Sequence, residues 1–219
     1  IFATSMNMLL LQLQQAPDID NQAIFNYVYF HMIPSPQTIF KGIYKLKPGE
    51  LVRVVNGKMT HQQYFQPHFS EDKTQQQAEL QQELRSTLED AVRRQLPADD
   101  QTNVGSFLSG GLDSSTITGI LNKIKPCSPS FSIGFHVEKY NELPWAELTA
   151  RHFSSPLLQH KVEADESAAV MDKITAWQDE PFGNSSVVPT FFCAQLAQQH
   201  GIKTLLAGDG GDELFAGNA

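Results

Sequence analysis

From residue 103 onward, short apolar runs alternate with amphipathic segments of helical length, and this alternation limits the fold of the 219-residue chain more tightly than any other feature. The runs are "NVGSFL", "SFSIGF", "LLQHKVE" and "IKTLLAG". Between them the spacing predicts helices from about Ser114 to Ile124, Glu142 to Phe153, Glu166 to Trp177 and Pro189 to His200. Strands separated by roughly 10 to 15 helical residues form βαβ units, whose crossover helices cover both faces of a parallel sheet. The expected fold class is therefore α/β, a parallel sheet flanked by helices.

A longer helix is predicted ahead of these units, from Thr74 to Leu96. Leu80, Leu84, Leu88, Val92 and Leu96 recur four apart as a slowly drifting apolar stripe, and Pro97 stops the run. Residues 1 to 68 differ in style. "ELVRVV-NG-KMTHQQYF" sets two strand-like runs around Asn56-Gly57, a pair that tolerates positive φ at both centres of a type I′ hairpin. The polar stretch "SEDKTQQQ" has nothing to bury and suits a linker. Two domains follow from this, 1–70 and 71–219. No internal repeat is found.

Each parallel strand that feeds a helix can present amide groups and the positive end of a helix dipole beyond its carboxyl end. Two glycine-rich turns stand at such places, "LSGGLDSS" after "NVGSF" and "AGDGGDE" after "IKTLL". Ser109, Gly110 and Gly111 lack bulk, so a phosphate can approach their backbone, and Ser114 and Ser115 add hydroxyls at the helix start. Asp113 is the exception that informs. A carboxylate inside a phosphate nest repels its ligand unless a cation lies between them, and Mg²⁺ resolves the conflict. Asp209, Asp212 and Glu213 in the second turn add hard oxygen ligands of the kind that suit Mg²⁺ bridging nucleotide phosphates. A plain turn for Gly-Gly and a helix cap for Asp remain the structural alternatives for either loop alone. Two acid-bearing turns in one α/β unit favour nucleotide binding.

Other classes fit less well. There is no G-x-x-x-x-G-K-[ST], the turn at Gly208 has Glu213 where a dinucleotide fingerprint needs its third glycine, and no G-x-S-x-G occurs. A formal charge of -8, with 16 basic against 24 acidic residues, leaves no electrostatic footprint for nucleic acid. No apolar stretch approaches the roughly 18 to 20 residues of a membrane span, and no basic signal-peptide region leads the chain. Cys127 and Cys193 are isolated, and the seven His have no metal spacing, so a reducing cytosol is the expected, cytoplasmic location.

"SGGLDSS" resembles the pyrophosphate-binding loop of the N-type ATP pyrophosphatases. Together with "FSIGF", "YNELPWAELTARHF", "DEPFGNSSVVPTFFCAQLA" and "LLAGDGGDELFAG", it is similar in order and spacing to the synthetase domain of glutamine-hydrolysing asparagine synthetases. The segment "PDIDNQAIFNYVYFHMIPSPQTIFKGIYKLKPGELVRV" looks like the β-rich end of that family's N-terminal nucleophile glutaminase domain. The resemblance implies an adenine nucleotide alpha hydrolase-like sheet and an ATP- and Mg²⁺-dependent ligase that adenylates the β-carboxylate of aspartate and passes ammonia to it.

By resemblance, Ser109, Gly110, Gly111, Asp113, Ser114 and Ser115 hold the phosphates of ATP, and Asp113 and Asp212 bind magnesium. Phe107, Ile133, Ala207 and Gly208 line the adenosine. Asn184, Ser185 and Ser186 belong to the aspartate pocket, with helix capping the alternative for the two serines. Asp209 takes the catalytic position near incoming ammonia, where the family commonly has Glu, a side chain longer by about 1.5 Å. The implied partners are small molecules: ATP, aspartate or another carboxylate, and ammonia from glutamine. A homodimer is left open. Further departures are Ser5 in place of an acidic residue, and Ala216, Gly217 and Asn218 after Phe215 where Gly-Gly-Tyr is common. Ile1 stands where the family's N-terminal Cys nucleophile would be sought, so glutamine hydrolysis is not expected of the chain, which reads as cut at both ends. A nucleotide-binding module without turnover is the alternative of another class. Trp145 and Trp177, in amphipathic helices, are expected in the core.

Overall fold

A computed structural model of the chain describes residues 1–70, 76–99, 103–215 and 217. The chain divides into two compact units, Ile1–Asp72 with Met171–Ser185, and Lys73–Val170 with Ser186–Ala219.

The second unit contains a four-stranded, wholly parallel sheet. Its strands are β3 (Val104–Phe107), β4 (Ser130–Phe135), β5 (Leu157–Val162) and β6 (Thr204–Leu206), in the order β5-β4-β3-β6. The chain winds outward from β3 through β4 to β5 and then returns to place β6 on the other side of β3. The switch of winding direction therefore falls between β3 and β6, where open α/β sheets leave a crevice at the carboxyl ends of their strands.

Side-chain alternation explains the cover on each face. Phe107 on β3, Phe131 and Ile133 on β4, Leu158 on β5 and Leu205 on β6 point to one face and pack with Cys193, Leu196 and Ala197 of α7 (Val187–Gln199). On the other face Val104 and Leu206 meet Val92 of α3 (Gln77–Gln95) and Ile117, Ile120, Leu121 and Ile124 of α4 (Leu112–Ile124). Ala146 and Ala150 of α5 (Leu143–His152) join Leu108 and Leu157 there. The α/β expectation is met. Between β3 and α4 this apolar face holds one polar pair: Ser106 and Thr118 are fully buried, and their hydroxyl oxygens are 2.9 Å apart.

Two expectations change. The stripe on α3 is buried only toward its end, with Val92 enclosed but Leu80 and Leu84 about two-fifths exposed. The predicted start of this helix and most of the predicted linker, residues 71–75, lie outside the described residues. Trp145 and Trp177 are not core residues, being 64% and 78% exposed. In α5 the inward positions go to Leu143, Ala146 and Ala150, so helical geometry turns Trp145 away from them.

The first unit holds α1 (Met6–Leu10), α2 (Asn21–Phe30) and the antiparallel hairpin of β1 (Glu50–Val55) and β2 (Lys58–Gln63). Asn56 and Gly57 turn it with φ of 50° and 75°, the two positive values that the pair was expected to supply. Segment 171–185, which includes the end of α6 (Ala164–Trp177), belongs to this unit for a polar reason. The Asp179 carboxylate accepts from the amide of Met6 at 2.8 Å, and that of Glu180 accepts from the amide of Ile39 at 3.0 Å. Lys45 pairs with Glu180, and the Gly183 amide donates to the carbonyl of His31. Among the described residues no helix is long and apolar enough to cross a membrane.

Candidate functional site

β3 runs into the first glycine turn without slack. Leu108 is buried and its amide donates to the carbonyl of Phe131 at 2.9 Å, extending the ladder by one residue. Gly110 then takes φ of 91°, a conformation that a side chain would strain. The turn closes on two serines: the hydroxyls of Ser109 and Ser114 are 2.9 Å apart, the Ser109 amide donates to Ser114 Oγ, and the Gly111 amide donates to Ser109 Oγ. α4 begins at Leu112, so the amides of Leu112, Asp113 and Ser114 have no acceptor within the helix and carry the positive end of its dipole.

β6 leads in the same way into Ala207–Gly210 and the short α8 (Gly211–Phe215), with Gly210 at φ of 92°. The two turns touch. A β-carbon built on Gly208 would stand 2.8 Å from Cβ of Asp113, and one built on Gly211 would stand 2.5 Å from its Cγ. Glycine at both positions lets the second turn lie directly against the Asp113 side chain.

A cleft of about 450 Å³ opens where they meet. Phe107, Ser109, Asp113 and Ser114 line it from the first turn, and Ala207, Gly208, Asp209, Gly210, Gly211, Asp212 and Glu213 from the second. Among the described residues its charged lining is thus four carboxylates, with no Lys or Arg. Thr190 of α7 completes the wall. Sequence reasoning missed Thr190, although a hydroxyl in the first turn of a predicted helix was a usable signal.

Other expected residues lie elsewhere. Ile133 is partly buried and, like Phe107, packs against the core of Phe131, Cys193 and Ala197, but it does not line the cleft. Gly110, Gly111 and Ser115 support the loop but do not line the cleft. The Ser115 amide donates to the Gly111 carbonyl at 3.0 Å, and its hydroxyl is 3.2 Å from Oγ1 of Thr149 on α5. Asn184 and Ser185 belong to the first unit, and Ser186 precedes α7 as its N-cap residue without a side-chain capping bond. A larger hollow of about 640 Å³ lies between the end of α5 and the start of β5. It sits at the amino end of β5, away from both glycine turns, and size alone does not make it the site.

The donor set bears on a divalent ion. Among the described residues no three His, Cys, Asp or Glu side chains form a ready cage. Mg²⁺ does not require one, since it usually takes one or two carboxylates and completes its shell with phosphate oxygens and water. Asp113 and Asp212, from facing turns of one cleft, fit that pattern.

Comparisons with known proteins agree in position with these elements. The family model described as Asparagine synthase matches residues 83–219, which include both turns, and that described as Glutamine amidotransferase domain matches residues 1–65. Asparagine synthetase [glutamine-hydrolyzing] 1 of Bacillus subtilis is 30% identical over 218 residues, covering 99% of this chain and 34% of its own. A Mycobacterium tuberculosis protein provisionally named an asparagine synthetase [glutamine-hydrolyzing] is 32% identical over 207 residues, 91% of this chain and 31% of its own. Amidase chyE of Penicillium rubens is 28% identical over 203 residues, 83% of this chain and 30% of its own. The chain spans about a third of the length of these relatives. With a model match over more than half of its residues, the chain belongs to the asparagine synthase family.

Proposed function

We propose that the cleft binds ATP with Mg²⁺ and that the chain forms the nucleotide-binding part of an amide-forming ligase, of which residues 1–70 are the end of a glutaminase domain. One observation carries the reading: Asp113 of the first turn packs against Gly208 and Gly211 of the second inside a single acidic cleft. A nucleotide's triphosphate would be repelled by four carboxylates, so a cation must accompany it. Asp113 and Asp212 would hold Mg²⁺, which supplies charge neutralisation between the carboxylates and the phosphates.

The chain's own groups do the positioning. The first-turn amides of α4 and the hydroxyls of Ser109 and Ser114 orient the phosphates, and Phe107, Ala207 and Gly208 border the adenosine. The β-carboxylate of aspartate attacks the α-phosphorus, pyrophosphate leaves, and ammonia then displaces AMP from the acyl carbon to give asparagine. Holding two anions in line and neutralising their repulsion is the main contribution to rate. Asp209, at the mouth of the second turn, takes the proton that ammonia loses. Ser186, just ahead of α7 in the same unit as the cleft, contributes to the acceptor pocket, and the setting is the cytoplasm.

A second reading has another carboxylate as the acceptor, since a relative that matches most of this chain carries the name amidase and not asparagine synthetase. Pyrophosphate release from ATP and Mg²⁺, measured with ammonium and a panel of carboxylates, separates the readings. Release with aspartate alone supports the first, and release with another acid supports the second. Nucleotide binding with no release under any condition sinks both in favour of a binding module.

A further inference from the structure

We propose that Thr149 of α5 is a positioning residue for the nucleotide loop and acts through Ser115. The inference rests on the nucleotide reading of the cleft. Ser114 and Ser115 are adjacent, and a helix turns by about 100° per residue, so their side chains leave in different directions. Ser114 meets Ser109 and lines the cleft, whereas Ser115 presents neither of its polar groups there. Its amide is used by Gly111 and its hydroxyl by Thr149, in a partly buried contact 34 residues apart in sequence.

A second contact ties the same helix to the apex of the turn. A β-carbon on Gly110 would stand 2.5 Å from Cβ of Trp145 and 2.6 Å from the amide nitrogen of Ala146. Cβ of Trp145 and the Ala146 amide lie one turn ahead of the Thr149 hydroxyl, so α5 holds the loop at two points, by its main chain at Gly110 and by Thr149 at Ser115. Gly110 sets how close the helix comes. The Ser115–Thr149 bond sets its register along α4. Together they fix where Ser109, Ser114 and the first-turn amides point. The SGGLDSS serines thus divide: Ser109 and Ser114 face the ligand, and Ser115 faces the support.

Four variants of the intact protein test this: Ser115→Ala, Thr149→Val, the double variant, and Thr149→Ser. The readouts are Mg-ATP affinity by calorimetry and amide hydrogen exchange across residues 109–115. Loss of one hydrogen bond predicts about five-fold weaker Mg-ATP binding for each single variant. Because both remove the same bond, the double variant should be no weaker than either. Thr149→Ser, which keeps the hydroxyl, should restore wild-type affinity, and exchange should quicken in both single variants without nucleotide. Weaker binding in Ser115→Ala with wild-type binding in Thr149→Val would show that Ser115 contacts the ligand itself and overturn the proposal. Additive losses, or wild-type behaviour throughout, overturn it as well. Failure of the wild-type protein to bind Mg-ATP overturns the nucleotide reading instead, and hydrogen exchange still decides whether the bond holds the loop.

Discussion

Cβ of Asp113 lies where a side chain on Gly208 would have to go: a methyl group there would stand 2.8 Å from that carbon and 2.9 Å from the Asp113 carbonyl carbon. The obstruction is partly main chain, so it cannot swing aside. Gly208→Ala should push the two turns apart, cost about 1–3 kcal/mol of stability, and weaken Mg-ATP binding at least roughly ten-fold, the factor that about 1.4 kcal/mol represents. Gly111→Ala is the control. Its nearest obstacle is the Ser109 hydroxyl at 3.3 Å, a side-chain atom that needs to give by only a few tenths of an ångström, and its φ of -69° suits alanine. Thermal melting and calorimetry of both variants check the contrast, and equal losses in the two would remove the steric explanation.

Asp113→Asn changes charge and little else, since the amide has the shape of the carboxylate. If Asp113 acts only to shape the loop, the variant should release pyrophosphate as the wild type does. As a magnesium ligand acting on the charge of the transition state, it should lose at least about a hundred-fold in kcat, in the range seen when an electrostatic stabiliser is removed. The KM for ATP should change much less than kcat. Steady-state pyrophosphate release over a range of Mg²⁺ concentrations distinguishes the two, because higher Mg²⁺ cannot restore a missing charge.

Both turns were legible because their signals are local: an apolar run, two or three small residues, an acid, then a helix. The same holds for Asn56-Gly57, whose two positive φ values follow from the residues themselves. What escaped the sequence depends on which way a helix faces. Ser114 and Ser115 look alike in one dimension, and only packing against α5 shows that one faces the cleft and the other Thr149. Thr190 reaches the cleft from a helix some 80 residues away from Gly110; its place in the first turn of a predicted helix marks it as a candidate, but only the tertiary fold shows which cleft that turn meets. Trp145 was misplaced for a related reason: its size suggested burial, whereas the small Ala146 and Ala150 fill the inward positions. The grouping of segment 171–185 with the first unit depends on carboxylates accepting from distant backbone amides, which no periodicity encodes.

The two cysteines should differ sharply in reactivity. Cys127 is exposed, whereas Cys193 is 3% exposed, packed with Phe131 and Ala197, and burial pushes its thiol from 9.0 up to about 12. Alkylation at pH 8 should modify Cys127 rapidly and Cys193 only on unfolding. The sign of the pH effect follows from the raised value. The unfolded thiol loses its proton first, so the contribution of Cys193 to stability is fully present below about pH 9 and is lost as pH rises toward about 12. Denaturant midpoints of the wild type and Cys193→Ala, compared from pH 8 to 11, isolate this effect from other alkaline titrations. The difference between them should shrink or reverse as pH rises.

Glu180 should hold the discontinuous first unit together. Its side chain is 15% exposed, one oxygen accepts from the Ile39 amide at 3.0 Å, and the other pairs with Lys45. An exposed ion pair would contribute little, but this carboxylate also satisfies a backbone donor. Glu180→Ala leaves that amide and the ammonium without their acceptor, at a cost of about 1–3 kcal/mol. Glu180→Gln keeps an oxygen for Ile39 and should cost less, through the lost charge alone. Hydrogen exchange locates the effect: the Ile39 amide and residues 171–185 should lose protection in Glu180→Ala, while the amides of β3 and β4, in the other unit, keep theirs. Equal loss in both units would mean that they unfold as one cooperative block, and segment 171–185 would then be part of a single core rather than a strap on the first unit.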